Sequence, residues 1–256
     1  MAKSALARID LEALLRARKL DRTLHQPGNT TAPERTPRPS DTVLPTGLTL
    51  LDQRLDGGLP RGQMSEVVGP RSSGRATLMC AALAAATGRG ELTALVDPLD
   101  TFDPESAAAT GVDLERLLWL RGEGTTMGAW PQREAGKGLE RLLERALKAL
   151  NLVLQAGGFD LVVLDVAEVP LEVIRRLPFT TWFRLQRVIE GSRTVCLLLG
   201  PAPMARSAEG VSIHLAPAHG ERGRWTPRLF LGLDIHARIV RARDPEEGQC
   251  RLSARA

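Results

Sequence analysis

The sequence predicts an α/β fold: a mostly parallel central sheet with helices on both faces and antiparallel strands at its C-terminal edge. Three observations predict it. From Met64 onward, short apolar runs alternate with helical patterns, the order that builds parallel strands joined by crossover helices. A glycine-rich turn lies between the first of these strands and the first of these helices. After Gly200 the rhythm becomes strand after strand, with Pro217, Gly220 and Gly223 as punctuation.

The chain opens on residues 4–24, where Leu6, Ile9, Leu14 and Leu15 recur near helical spacing among Arg16, Arg18, Lys19 and Arg22. This pattern predicts an amphipathic helix within residues 1–24. Residues 25–45 hold Pro27, Pro33, Pro37, Pro39 and Pro45 and read as an extended tether, leaving 46–256 as the core domain. Within the core, strands are expected at Ser65–Val68, Thr93–Asp97, Leu117–Arg121, Leu161–Asp165 and Thr194–Leu199. Helices are expected at Ala76–Thr87 and Leu139–Gln155, the second with a leucine stripe wide enough to cover a sheet face. The last strands are expected at Val211–Leu215, Arg228–Leu233 and His236–Arg243, antiparallel at one edge.

Composition narrows the function classes. Of 256 residues 43% are hydrophobic, enough for one large α/β core. Cys80, Cys196 and Cys250 are odd in number and far apart, which argues against a disulfide framework or a zinc site. Arg8, Asp10 and Glu12 interrupt the apolar run a signal peptide needs, and no stretch is long enough to span a bilayer, so a cytoplasmic, membrane-free protein is expected. Residues 1–40 carry eight basic against four acidic groups and residues 217–256 eight against five, leaving a mildly acidic body between basic ends. Arg222, Arg224, Arg228, Arg238, Arg241 and Arg243 are therefore candidate contacts for DNA or a protein partner. Alternation along the last strand places Arg238 on one face and Arg241 and Arg243 on the other.

The glycine-rich turn reads Gly69-Pro70-Arg71-Ser72-Ser73-Gly74-Arg75-Ala76-Thr77, the spacing of a phosphate-binding loop. In the working pattern a lysine reaches the terminal phosphates and the next hydroxyl holds magnesium. Here those positions are Arg75 and Ala76. Arginine keeps the charge in a broader fork, and alanine ligates nothing. Thr77 is one residue too late, since each helical step turns a side chain by about 100°.

The loop is preceded in order by Thr46-Gly47, Leu51-Asp52, Gly57-Gly58-Leu59-Pro60-Arg61-Gly62 and Glu66. From Thr46 to Thr77 the chain resembles the RecA recombinase family, whose pattern it follows apart from Arg75 and Ala76. The resemblance continues through Leu95–Pro104, where the family's water-orienting glutamate falls at Leu99, and at Phe159–Asp165, whose last residue, Asp165, matches the Walker B aspartate. The connections after Asp165 and across Pro201–Gly210 are short beside the family's DNA-binding loops. The stretches Phe179–Arg187, Ala205–Ala208 and Trp225–Arg243 are similar to the ImuA subfamily.

The resemblance implies a RecA-like P-loop core and an accessory role in SOS-induced translesion synthesis and mutagenesis. The partners it implies are RecA, an ImuB-type polymerase-like protein and an error-prone polymerase, with DNA as a further contact. With the phosphate cation, the metal ligand and the water-orienting acid all changed, the expectation is a protein that is not an enzyme, has no catalytic residue and needs no cofactor or metal, with ATP at the loop to be tested. The competing classes are a divergent ATP-dependent recombination or repair protein and an SOS cell-division inhibitor.

Overall fold

The computed structural model describes residues 42–122, 135–205, 210–217, 224–226, 229–241 and 248–255. The expected helix at 1–24, and with it Leu6, Ile9, Leu14 and Leu15, lies outside them.

A two-stranded antiparallel sheet opens the described chain, β1 (Val43–Leu44) paired with β2 (Leu59–Pro60) around helix α1 (Thr49–Arg54). Val43 and Leu44, within the stretch expected to be a tether, are thus in a strand, and Leu44 is fully buried. The residues of the TG…LD pattern explain the turn: the Asp52 carboxylate accepts from the Thr46 amide at 2.8 Å and the Thr46 hydroxyl at 2.7 Å. The guanidinium of Arg61 then ties the unit down, donating to the Val43 carbonyl, Asp160 and Glu91.

The main sheet follows with β3 (Met64–Val68), helix α2 (Arg75–Gly88), β4 (Thr93–Asp97), helix α3 (Pro104–Ala109) and β5 (Leu117–Arg121). Next come helix α4 (Ala135–Ala156), β6 (Leu161–Asp165), the short helices α5 (Leu171–Ile174) and α6 (Thr180–Ile189), and β7 (Val195–Gly200). The chain closes with β8 (Val211–Pro217), β9 (Arg224–Thr226), β10 (Leu229–Arg241) and β11 (Gly248–Arg255). Strand order across the sheet is β11-β10-β8-β3-β7-β6-β4-β5, with β9 also paired to β10.

The central strands are apolar runs because both faces are covered. Alternate residues supply the two cores. Val67, Leu95, Val163 and Leu197 join α2 through Leu78, Ala82, Leu83 and Ala86. Ala94, Val162, Leu164 and Leu198 join α4 through Leu143, Leu147 and Leu150, and α6 through Trp182, Leu185 and Ile189.

The fold class and the five central strands stand where expected, and the C-terminal edge differs in detail. β8 pairs parallel with β3, so it belongs to the parallel sheet, and the antiparallel edge begins only with β10. The two strands expected across 228–243 are one continuous strand, β10, which pairs with both β8 and β11. Inward residues Ile235, Ala237 and Ile239 are buried opposite Leu215 and Ile213, and this long shared ladder keeps the strand unbroken.

Candidate functional site

The phosphate-loop pattern folds as a tight turn from the end of β3 into α2. The Gly69 amide reaches the Gly200 carbonyl at 3.4 Å, and Ser72 and Gly74 take positive φ values of 59° and 93°. Gly74 immediately precedes α2, so the loop runs straight into a helix N-terminus, an end that favours anions. Ser73 is fully buried, and its hydroxyl has no hydrogen-bond partner among the described residues. The helix end and this orphaned hydroxyl fit a nucleotide phosphate.

Arg75, in the position of the family lysine, is buried with 5% of its side chain exposed. Its guanidinium donates to the Ala167 carbonyl at 2.8 Å, the Gly200 carbonyl at 3.1 Å and the Glu168 carboxylate at 2.8 Å. It thus links α2 to the C-terminal ends of β6 and β7. Glu168 also takes an ion pair from Arg71 at 2.9 Å, a side chain 86% exposed. Glu168 lay outside the sequence reading; its only sequence signal is its place three residues after Asp165. Ala76 and Thr77 are exposed on the first turn of α2.

Asp165 ends β6, and its Oδ1 accepts the Ala167 amide at 2.9 Å. Burial pushes its carboxyl up to about 6, with Asp97 adding to the rise while the Ala167 amide and Arg75 oppose it. A carboxyl held this way is partly protonated at mildly acidic pH. Burial also raises the neighbouring Cys80 thiol, helped by Asp165 and Asp103.

Leu99, at the position of the family glutamate, packs against the core on the α4 side of the sheet. The adjacent Asp100 has φ 56° and is held in a bidentate pair by Arg121, both contacts at 2.8 Å. That pairing lowers the Asp100 carboxyl. Arg121 also lies over the Trp119 ring, 4.4 Å from its centroid, and Trp119 meets Phe102 edge-on at 5.2 Å. Beneath this cluster the fully buried Asp97 accepts the amides of Thr101 at 3.1 Å and Phe102 at 2.9 Å.

On the other side of the loop, a cavity of about 620 Å3 is lined by Gly69, Pro70, Pro201, His214, His236 and Arg238 among others. Glu66, 4% exposed, accepts the amides of Met204 and Ala205 and the Ser212 hydroxyl, tying β3 to the connection after β7 and to β8. Arg238 is exposed on β10, opposite His214 in register. Arg241 ends β10 on the alternate register parity and Arg224 begins β9. Arg222, Arg228 and Arg243 lie outside the described residues. No helix of the described residues is long and apolar enough to cross a membrane.

The RecA N-terminal domain model matches residues 34–128, the part that holds the two-stranded unit, the loop, α2 and the Asp97–Arg121 cluster. The chain is 39% identical over 124 residues to Protein RecA of Streptomyces ambofaciens, covering 48% of this chain and 28% of that protein. It is 36% identical over 129 residues to Protein RecA of Kineococcus radiotolerans (50% and 32%). To Protein RecA of Chlorobaculum tepidum it is 38% identical over 124 residues (48% and 31%). The matches thus span less than a third of the length of each of these relatives. They also overturn the expectation of a chain that is not an enzyme. The proteins that it follows across half its length carry the name RecA, a partial similarity that opposes that expectation.

Proposed function

Taking as premise that the chain is a member of the RecA-like superfamily, we propose that it serves DNA-damage tolerance as an accessory protein of translesion synthesis and mutagenesis. In this role it binds RecA, an ImuB-type polymerase-like protein with its error-prone polymerase, or both.

The observation that carries the reading is the brevity of the two connections at the C-terminal end of the central strands. Val166–Pro170 alone separates β6 from α5, and ten residues, 201–210, separate β7 from β8. Glu66 ties the second connection down at Met204 and Ala205. With these two connections short, the reading rests on protein surfaces elsewhere on the chain. Residues 1–24, with the helix expected there, are the proposed contact for a RecA-like neighbour, and Arg238 on β10 the proposed contact for DNA or a partner.

A second reading, a divergent ATP-dependent recombination or repair protein, is favoured by the alignment with proteins named RecA and by the loop's fit to a phosphate. Two experiments separate them. Affinity capture of the tagged chain from DNA-damaged cells is expected to enrich RecA or the polymerase-like partner over an undamaged control. Capture of division proteins, or of nothing, refutes the accessory role. ATP turnover by the purified chain, with and without single-stranded DNA, tests the second reading: stimulation by DNA supports it, and DNA-independent or absent turnover counts against it.

A further inference from the structure

The molecule carries an exposed aromatic pair that neither the core nor the nucleotide loop uses. Phe179 and Phe183 flank the start of α6 and are 48% and 51% exposed. Their rings meet edge to face, centroids 4.6 Å apart and planes at 83°. α6 needs neither of them to hold its place. Trp182, Leu185 and Ile189 anchor the opposite side, and Gln186 bonds the β3 entry through the Met64 amide and the Gly62 carbonyl.

The charges around the pair have one sign. At helical spacing Phe179, Phe183, Arg184 and Arg187 share the outward side of α6, and all four are exposed. Arg175 is exposed just before them, and Arg176 is engaged by Glu140 of α4. Arg175, Arg184 and Arg187 form no ion pair with a described residue. The carboxylates of the segment, Glu172 and Glu190, stand at its two ends.

We propose that the Phe179–Phe183 pair with Arg175, Arg184 and Arg187 is a docking surface for an acidic protein segment that lays an apolar side chain against the outer side of the two rings. Two rings at right angles form a notch with an apolar floor and wall, which accepts a leucine or phenylalanine anchor. Guanidiniums beside it take carboxylates in bidentate pairs. Aromatic anchors with arginines are also the composition that concentrates binding energy at protein interfaces. A single-stranded nucleic acid fits less well. Successive bases need faces open to parallel stacking, and here one ring edge covers the other's face. This surface lies on α6 and is distinct from the β10 edge.

The test uses the full chain and fluorescent synthetic peptides that place leucine or phenylalanine anchors at i,i+3, i,i+4 and i,i+7 among aspartates and glutamates. Controls are the same peptides with lysine in place of every acid, and an oligo-dT. At least one acidic peptide is expected to bind, at least tenfold more tightly than its lysine counterpart, and to weaken as salt rises. Phe183→Ala and the surface double variant Arg184→Glu/Arg187→Glu are each expected to lose about tenfold or more of that affinity, with unchanged circular dichroism and melting. The double variant should in turn gain affinity for the lysine peptides. Binding by none of the acidic peptides, equal binding of acidic and basic ones, or oligo-dT binding that the same variants abolish would each overturn the proposal.

Discussion

Replacing Arg75 by alanine removes three hydrogen bonds from the junction between α2 and the ends of β6 and β7. Its guanidinium serves the Ala167 and Gly200 carbonyls and the Glu168 carboxylate, and it is 5% exposed. Hydrogen bonds from a charged group contribute about 1.5–3 kcal/mol each when buried. The two carbonyls lie at the ends of β6 and β7 and would be left facing a void. Glu168 is 30% exposed and retains Arg71, so its share is small. The expected loss is about 3 kcal/mol, since the void admits water that recovers part of the cost. For a domain of this size that is a fall in Tm of roughly 6–12 °C. Arg75→Lys keeps the charge but not the fork, and should lose about half as much. The assay is urea unfolding followed by circular dichroism, with the slope required to stay constant. An Arg75→Ala variant within about 0.5 kcal/mol of wild type, or a lysine variant no better than alanine, would refute the view that this residue is a structural tie between α2 and the strand ends.

Asp165 gives a pH signature: because its folded value, about 6, lies above the ordinary 3.8, the native state holds the proton longer than the unfolded chain. Its contribution to stability is therefore greatest below pH 3.8 and falls as pH rises to 6, by up to about 3 kcal/mol at 1.36 kcal/mol per unit. Asp165→Asn should remove that decline in urea midpoints between pH 4 and 7, and parallel curves for the two proteins would contradict it. Glu66→Ala should free the amides of Met204 and Ala205 and speed their hydrogen exchange, at a cost of about 2–4 kcal/mol; unchanged exchange at both would show that this connection is held by other contacts. Gly58 has φ 144°, and a Cβ there would stand 2.2 Å from the Leu44 carbonyl oxygen, so Gly58→Ala should separate β1 from β2 and cost about 3 kcal/mol or more. A melting temperature equal to wild type would refute that close approach.

What the residues say locally they say correctly. Continuous apolar runs such as Leu161–Asp165 and Val195–Gly200 can only be buried strands, and the leucine stripe of α4 can only face a sheet. The loop is equally legible, because its turn depends on glycine conformations and on neighbours within a few residues. The short helices α5 and α6 carry too few turns for a clear period, and they emerge only with the packing of Trp182, Leu185 and Ile189.

The sequence by itself determined the alternation of strands and helices, the loop between β3 and α2, and the changed identities at 75, 76 and 99. All of these depend on contacts within a few residues of the chain. The direction of β8 was decided only by the tertiary structure, because direction depends on which edge the chain returns to, and alternation along a strand is the same for either sense. The fate of Arg75 was decided the same way. Its acceptors at Ala167, Glu168 and Gly200 lie 92 to 125 residues away and come together only when β6 and β7 lie side by side beneath α2.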